Sequence, residues 1–396
     1  MKWIKSVIAG SLTAAILCDF AAALTETAQN IQLKNRLRVG WDNNVYEEER
    51  EEDRDESFKL IEEIELLLNF DFEQSFFGLR YRPSFVWWTD REPDDTDFHH
   101  ELDLVLAHNF TPRLSLNAKN TMRLAEIPEL IDRGSVVREN DDYTYNLTDA
   151  VIGYRITEAT RVELGGRYTI LRYDENEERA KTDDYDITAV GVTLRHQWLQ
   201  DTAVSADLRL ENTEYIDTEE RSSESVFYGV GLEQIFSPNL VGSVRGGIQD
   251  KSFDSAQISD EQNPFGDLSL TYLPSPKTRI TLGAGYSMFE PDVFPFASQD
   301  RLLSYLTIGH DISARLQLFL ATSLQLSDYS QDQTLDDPRY RKMDGEETVW
   351  QASGRVSYMI NRKNYLELGV QYLDFSTDLR DEFDRTRVEV GWRTQL

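Results

Sequence analysis

The residues with the most chemical potential in this chain are charged and recur at alternate positions. Arg36 and Arg38 are separated by one residue, as are Arg80 and Arg82, Glu101 and Asp103, and Arg387 and Glu389. Arg123, Arg167, Arg209, Arg245, Arg355, Glu367 and Arg393 likewise lie between apolar or small neighbours. Successive side chains of an extended chain point to opposite faces, so charges at this spacing collect on one surface. If that surface lines an aqueous interior, rings of charge would bias which solutes pass. The same residues would serve equally as cross-strand ion pairs that satisfy a narrow or filled interior. Pairing of the first and last strands of a closed sheet would bring Arg36 and Arg38 near Arg387 and Arg393. That basic stripe would attract anions unless Glu367 and Glu389 neutralise it.

Acid–base chemistry has fewer candidates. The five histidines are His99, His100, His108, His196 and His310. His99 and His100 stand beside Glu101 and Asp103, where a general acid–base pair could form. No G-x-S-x-G or H-E-x-x-H motif accompanies them, so no enzymatic activity, cofactor or metal centre is expected. Residues 46–57 contain eight acids and two bases, a composition that suits hard cations. The segment lacks EF-hand spacing and reads better as a solvated surface.

Positioning such charges requires many two-faced strands. Leu33, Leu37, Val39, Trp41 and Val45 share one face of the first, with Lys34, Arg36, Arg38, Asp42 and Asn44 on the other. Leu316, Leu318, Leu320, Leu324 and Leu326 alternate in the same way near the other end. Carried through, the period predicts about eighteen strands of the length a tilted membrane strand needs. Their expected spans are 33–46, 58–72, 76–89, 98–110, 113–124, 143–156, 161–173, 185–198 and 203–216. The rest are 225–236, 240–253, 265–273, 278–289, 301–312, 315–329, 347–360, 365–376 and 383–396. The apolar phase slips in 143–156 and 185–198, as a β-bulge or a misplaced boundary would produce. Every second link is a tight turn, such as Thr111-Pro112 and Ser237-Pro238-Asn239, and the intervening links are longer and polar. Alternation of short turns with long loops marks an up-and-down membrane barrel and is not expected of a β-sandwich. Trp41, Trp87, Tyr173, Tyr215, Phe253, Phe289, Tyr329 and Phe375 lie towards the long loops. Phe70, Phe110, Trp198 and Phe236 lie beside the short turns, so the two sets predict girdles at the two lipid–water interfaces.

Composition agrees with this class. The 396 residues carry 71 acids and 41 bases, a net charge of -30, which disfavours nucleic acid as a partner. Mean hydropathy is -0.51, and beyond the N-terminus no apolar run approaches the ~18 residues of a spanning helix. Lys2, Lys5, the apolar run Ser6–Leu17 and Ala21-Ala22-Ala23 read as a secretory signal spanning 1–23. Residues 24–32 are then a short periplasmic segment and 33–396 the barrel. Cys18 is the only cysteine and would leave with the signal, so no disulfide is expected.

Gly40-Trp41-Asp42-Asn43-Asn44-Val45 is similar to the opening strand of the putative β-barrel porin 2 type of bacterial outer-membrane protein. Phe-Ser-Pro-Asn-Leu at 236–240 and Phe-Thr-Pro-Arg-Leu at 110–114 resemble hairpin turns of that group. The resemblance implies a barrel in the outer membrane of a Gram-negative-type cell, surrounded by lipid and lipopolysaccharide; some such proteins are associated with exopolysaccharide export. Val388, Val390, Trp392 and Leu396 share a face, as a signal for barrel-assembly machinery requires, although such signals more often end in an aromatic residue. An interior of this size leaves room for water, so the expected function is passive diffusion of small hydrophilic solutes. An export component, or a structural or adhesive barrel displaying acidic loops, are the alternatives. Residues 125–142 are the segment expected to fold inward as a constriction. A flat apolar outer face would suit lipid or a second barrel equally, which leaves homo-oligomerisation open.

Overall fold

The computed structural model describes residues 30–396 apart from 53, 92–94, 126–142, 175–180, 292, 336–343 and 380. The expected signal 1–23, most of the segment 24–32 and the expected constriction 125–142, save Ala125, lie outside the described residues. The first strands are β1 (Ile31–Asp42), β2 (Ser57–Asp71), β3 (Ser75–Trp88), β4 (Thr96–Asn109), β5 (Leu114–Ala125) and β6 (Tyr143–Arg155). There follow β7 (Thr160–Tyr173), β8 (Tyr185–Leu199), β9 (Thr202–Tyr215), β10 (Ser223–Ser237), β11 (Leu240–Phe253) and β12 (Glu261–Ser275). The chain continues through β13 (Thr278–Phe289), β14 (Gln299–Asp311), β15 (Leu316–Tyr329), β16 (Gly345–Asn361), β17 (Asn364–Thr377) and β18 (Phe383–Gln395).

These elements form one 18-stranded sheet in which each strand pairs with its chain neighbours and β18 returns to β1. All ladders are antiparallel, so the sheet is closed and has no edge. The short turns share a chemical device. Thr111 Oγ1 accepts from the backbone N–H groups of Arg113 and Leu114, and Thr157, Ser313 and Asn361 do the same in their turns. A short polar side chain that satisfies freed N–H groups is the reason such residues open tight turns.

Leu37, Val39, Leu60, Ile64, Leu324, Leu368, Val390 and Trp392 all stand exposed on the outside. No water-soluble protein exposes so continuous an apolar wall, and hydrocarbon is the solvent that suits it.

Three expectations need correction. β1 ends at Asp42, and Val45 turns inward to pack with Ile61, Val86 and Trp88. No bulge occurs within β6, or in β8 where the phase slips; their ladders run without a shift through Leu147, Asp149 and Ile152 and through Ile187, Ala189 and Val190. The face stays constant and its surroundings change. Tyr143, Tyr145 and Leu147 point inward and pack with Leu171, Tyr173 and Tyr185, whereas Ile152 and Tyr154 point out. The outer girdle loses members for the same reason. Tyr173, Tyr215, Tyr329 and Phe375 are buried inside the mouth, and Trp41 and Trp87 remain on the outside.

Candidate functional site

The seam between the first and last strands is held by the motif at residues 40–45. Asp42 is fully buried and accepts from Arg385 Nη2 at 2.8 Å and Arg387 Nε at 3.0 Å. Asn43 Oδ1 accepts from the Thr386 N–H at 2.6 Å, and Asn44 Nδ2 donates to the Asp384 carbonyl at 3.1 Å. Gly40 leaves space for two side chains to cross it, since a Cβ there would lie 3.0 Å from Lys59 Cε and 3.3 Å from Glu389 Cγ. The motif therefore clasps the closure and adds no open binding group.

Deeper in the lumen the same strands carry a lattice of ion pairs. Arg36 bonds Glu63 at 2.6 Å and Glu367 at 2.9 Å, while Arg38 bonds Glu389 at 2.7 Å and Glu63 at 3.0 Å. Arg393 meets Glu367 at 2.8 Å, Arg80 meets Glu65 at 3.1 Å, and Arg82 pairs with Glu101. Asp103 accepts from Thr121 Oγ1 at 2.8 Å and lies 4.0 Å from Arg80. Glu367 and Glu389 thus meet the stated condition for neutralising the basic stripe, and Asp42 occupies Arg387. Around the wall Arg167 pairs with Asp149 at 2.7 Å, and Arg209 lies 3.8 Å from Glu211 and over the Phe227 ring. Arg245 is shared between Asp207 and Asp267.

Arg355 differs from these. It is exposed in the lumen and has no ion-pair partner among the described residues. Its register partners are Phe319 and Gly369, and a Cβ on Gly369 would meet nothing within 4 Å. Both residues border a cavity of about 350 Å³ that also touches Arg36, Arg38, Arg82, Arg123, Arg387 and Glu389. The structure thus gathers charged residues of β1 to β5 and of β16 to β18 around one space, although Arg80, Asp103 and Arg393 lie off its lining. Arg167, Arg209 and Arg245 stand on other parts of the wall.

Sequence reasoning missed the arrangement at the outer mouth. Residues 290–291 and 293–298, between β13 and β14, fold into the barrel. Glu290 accepts from Thr213 at 3.2 Å, from Tyr215 at 3.4 Å and from Lys251 at 2.9 Å. Arg221, on a helical turn between β9 and β10, donates to the Pro291 carbonyl and to Asp183. Burial opposes the charge on Arg221, yet Tyr215 and Asp183 hold its pKa above the ordinary guanidinium value. Phe296 packs on Tyr329, and Ala297 joins Ile258 and Leu335 in a small core. The only signal in the sequence was an apolar run, Val293 to Ala297, inside a link expected to be polar.

The two adjacent histidines separate. His99 lies opposite Ser84 on the inner face, and His100 faces out between Tyr81 and Phe98. The alternation of the strand therefore parts His100 from Glu101 and Asp103, whereas His99 shares the inner face with both.

Among solved structures, Acinetobacter baumannii OccAB4 is similar over 94% of this chain and 100% of that chain, at 11% identity and a TM-score of 0.47. The Pseudomonas aeruginosa outer membrane protein opdK is 13% identical, with 92% and 99% covered and a TM-score of 0.49. Pseudomonas aeruginosa OpdQ is 12% identical, with 92% and 98% covered and a TM-score of 0.47. A comparison with curated proteins found no match. The family model described as Putative beta-barrel porin 2 matches residues 33–396, and the chain therefore belongs to that porin family.

Proposed function

We propose that this porin sits in the outer membrane of a Gram-negative-type cell and passes small hydrophilic solutes by diffusion, with a bias towards anions. The observation that carries this reading is Arg355. It is a cation open to the lumen beside a cavity whose other charges are largely paired. A paired charge projects a weak field into water, whereas an unpaired one in a narrow passage is felt by every ion that enters. The pairs and the inward loop set the size of the passage, and Arg355 sets its sign. Export through residues 1–23 and insertion through the Val390, Trp392 and Leu396 face belong to the same proposal.

Single-channel recording of the purified protein in a planar bilayer tests it. Steady openings with a reversal potential on the anion side are expected, and Arg355→Glu should move that potential towards the cation side. Silence in the bilayer would refute the channel, and an unmoved potential in Arg355→Glu would refute the assigned role. The export alternative would gain from silence, although no feature of the lumen favours it over diffusion.

A further inference from the structure

The outer wall of β1 to β4 departs from a lipid-facing surface. On β2 the outward residues include Phe58, Leu60, Ile64 and Leu66, and among them stands Glu62, exposed and opposite Leu37 of β1. Asn35 Nδ2 donates to Glu62 Oε1 at 2.9 Å, and the second carboxylate oxygen has no partner among the described residues. Two strands away His100 also faces out. Its Nδ1 shares a hydrogen bond with Tyr81 Oη at 2.8 Å, which leaves Nε2 open. Pro83, opposite His100, has no N–H to donate, and the β2–β3 ladder skips the pairs at this point.

Ionisable groups on the lipid side of a barrel are costly below the interface and mark a face that something covers. We infer that β1 to β4 form a contact between two copies of this chain within the membrane. The occupant follows from charge complementarity. The face carries a carboxylate on β2 and an imidazole two strands away on β4, so a two-fold axis between them sets Glu62 of each copy against His100 of the other. Such a surface is complementary to itself. Phe85, the register partner of Glu62, and Phe98, which is 61% exposed, lie between the two as aromatic anchors of the kind that dominate interfaces. Among the described residues of β5 to β18, the outward ion pair of Arg172 with Asp186 lies at the strand ends, near the mouth, and that wall is left to lipid.

The test is the mass of the particle in mild detergent and in lipid nanodiscs, by light scattering over a dilution series. Wild type should dissociate from a dimer on dilution, and Glu62→Lys should weaken association by about tenfold. Glu62→Lys combined with His100→Glu should restore it, because the exchange swaps the positions of the carboxylate and its nitrogen partner. Heat-modifiable migration confirms that each variant still folds as a barrel. Wild type that is monomeric throughout, a Glu62→Lys variant that associates as wild type does, or a double variant no better than the single one would overturn the inference. Conductance of each barrel is read separately, so failure here is distinct from failure of the channel proposal.

Discussion

Across β1, β2, β3 and β4 the inner wall pairs Lys34 with Glu65, Arg36 with Glu63, Arg80 with Asp103 and Arg82 with Glu101 as direct register partners. Across β12 to β16 a row at mid-wall runs through Thr271, Thr281, Thr307, Ala321 and Ser353. Both rows face the lumen, yet one is built from opposite charges and the other from small neutral groups. The charged row adjoins the closure of β18 on β1, where no turn joins the two strands. Hairpins inherit their register from the turn, whereas the seam must obtain it from side chains. Arg36 and Arg393 are register partners of like charge, and Glu367 between them converts a repulsion into a bridge. Small residues on the other wall leave room and add little field.

The comparison breaks most sharply at Asp42. Asp42→Ala leaves Arg385 and Arg387 without their shared carboxylate, and breaking a buried pair costs about 3–5 kcal/mol. Thr307→Ala on the neutral wall should cost at most about 0.5 kcal/mol. Urea unfolding in lipid vesicles would show the gap, and equal losses at the two sites would dissolve the distinction between the walls.

Two inward glycines sharpen it next. Gly369 opens onto empty space, whereas a Cβ at Gly40 meets Lys59 and Glu389. Gly369→Phe should therefore cut single-channel conductance to roughly half with little loss of stability. Gly40→Ala should do the reverse, lowering stability by about 1 kcal/mol and leaving conductance near that of the native protein. A full-sized current through Gly369→Phe would place the solute path away from this cavity.

The smallest effect is expected at the rim. Arg54 and Asp384 pair at 2.7 Å, but Asp384 is 37% exposed there. Arg54→Ala should cost below about 1 kcal/mol, and that cost should vanish near 1 M salt. The loss at Asp42 should persist at the same salt, because water and ions do not reach the pair. Similar salt dependence at both positions would show that burial is not what separates them.

The strands and turns were legible because each depends on near neighbours. Period-two alternation placed β11 and β13 on their observed spans, and Thr, Ser, Pro and Asn marked the short turns. The division of charges to the inside followed from the same alternation, as Arg36, Arg38 and Glu389 show. Alternation says which face a residue takes, however, and not what that face meets at a given depth. Tyr143 and Tyr173 read as outer-girdle or phase-shifted residues because an apolar side chain was assumed to seek lipid. The filled mouth offers an equally dry place inside. The inward course of the chain at Glu290 and at 293–298 was hidden for a related reason, since Glu290 finds Thr213, Tyr215 and Lys251 only after three strands have assembled.

The sequence by itself determined a closed antiparallel barrel with an oily outside, a charged inside and the positions of its turns. Tertiary structure alone decided which charges cancel, that Arg355 stays open, and where the mouth is filled. The physical reason is range. Alternation and turn chemistry act over a few residues, whereas an ion pair such as Arg38 with Glu389 joins groups from opposite ends of the chain. Its existence depends on the register with which the barrel closes.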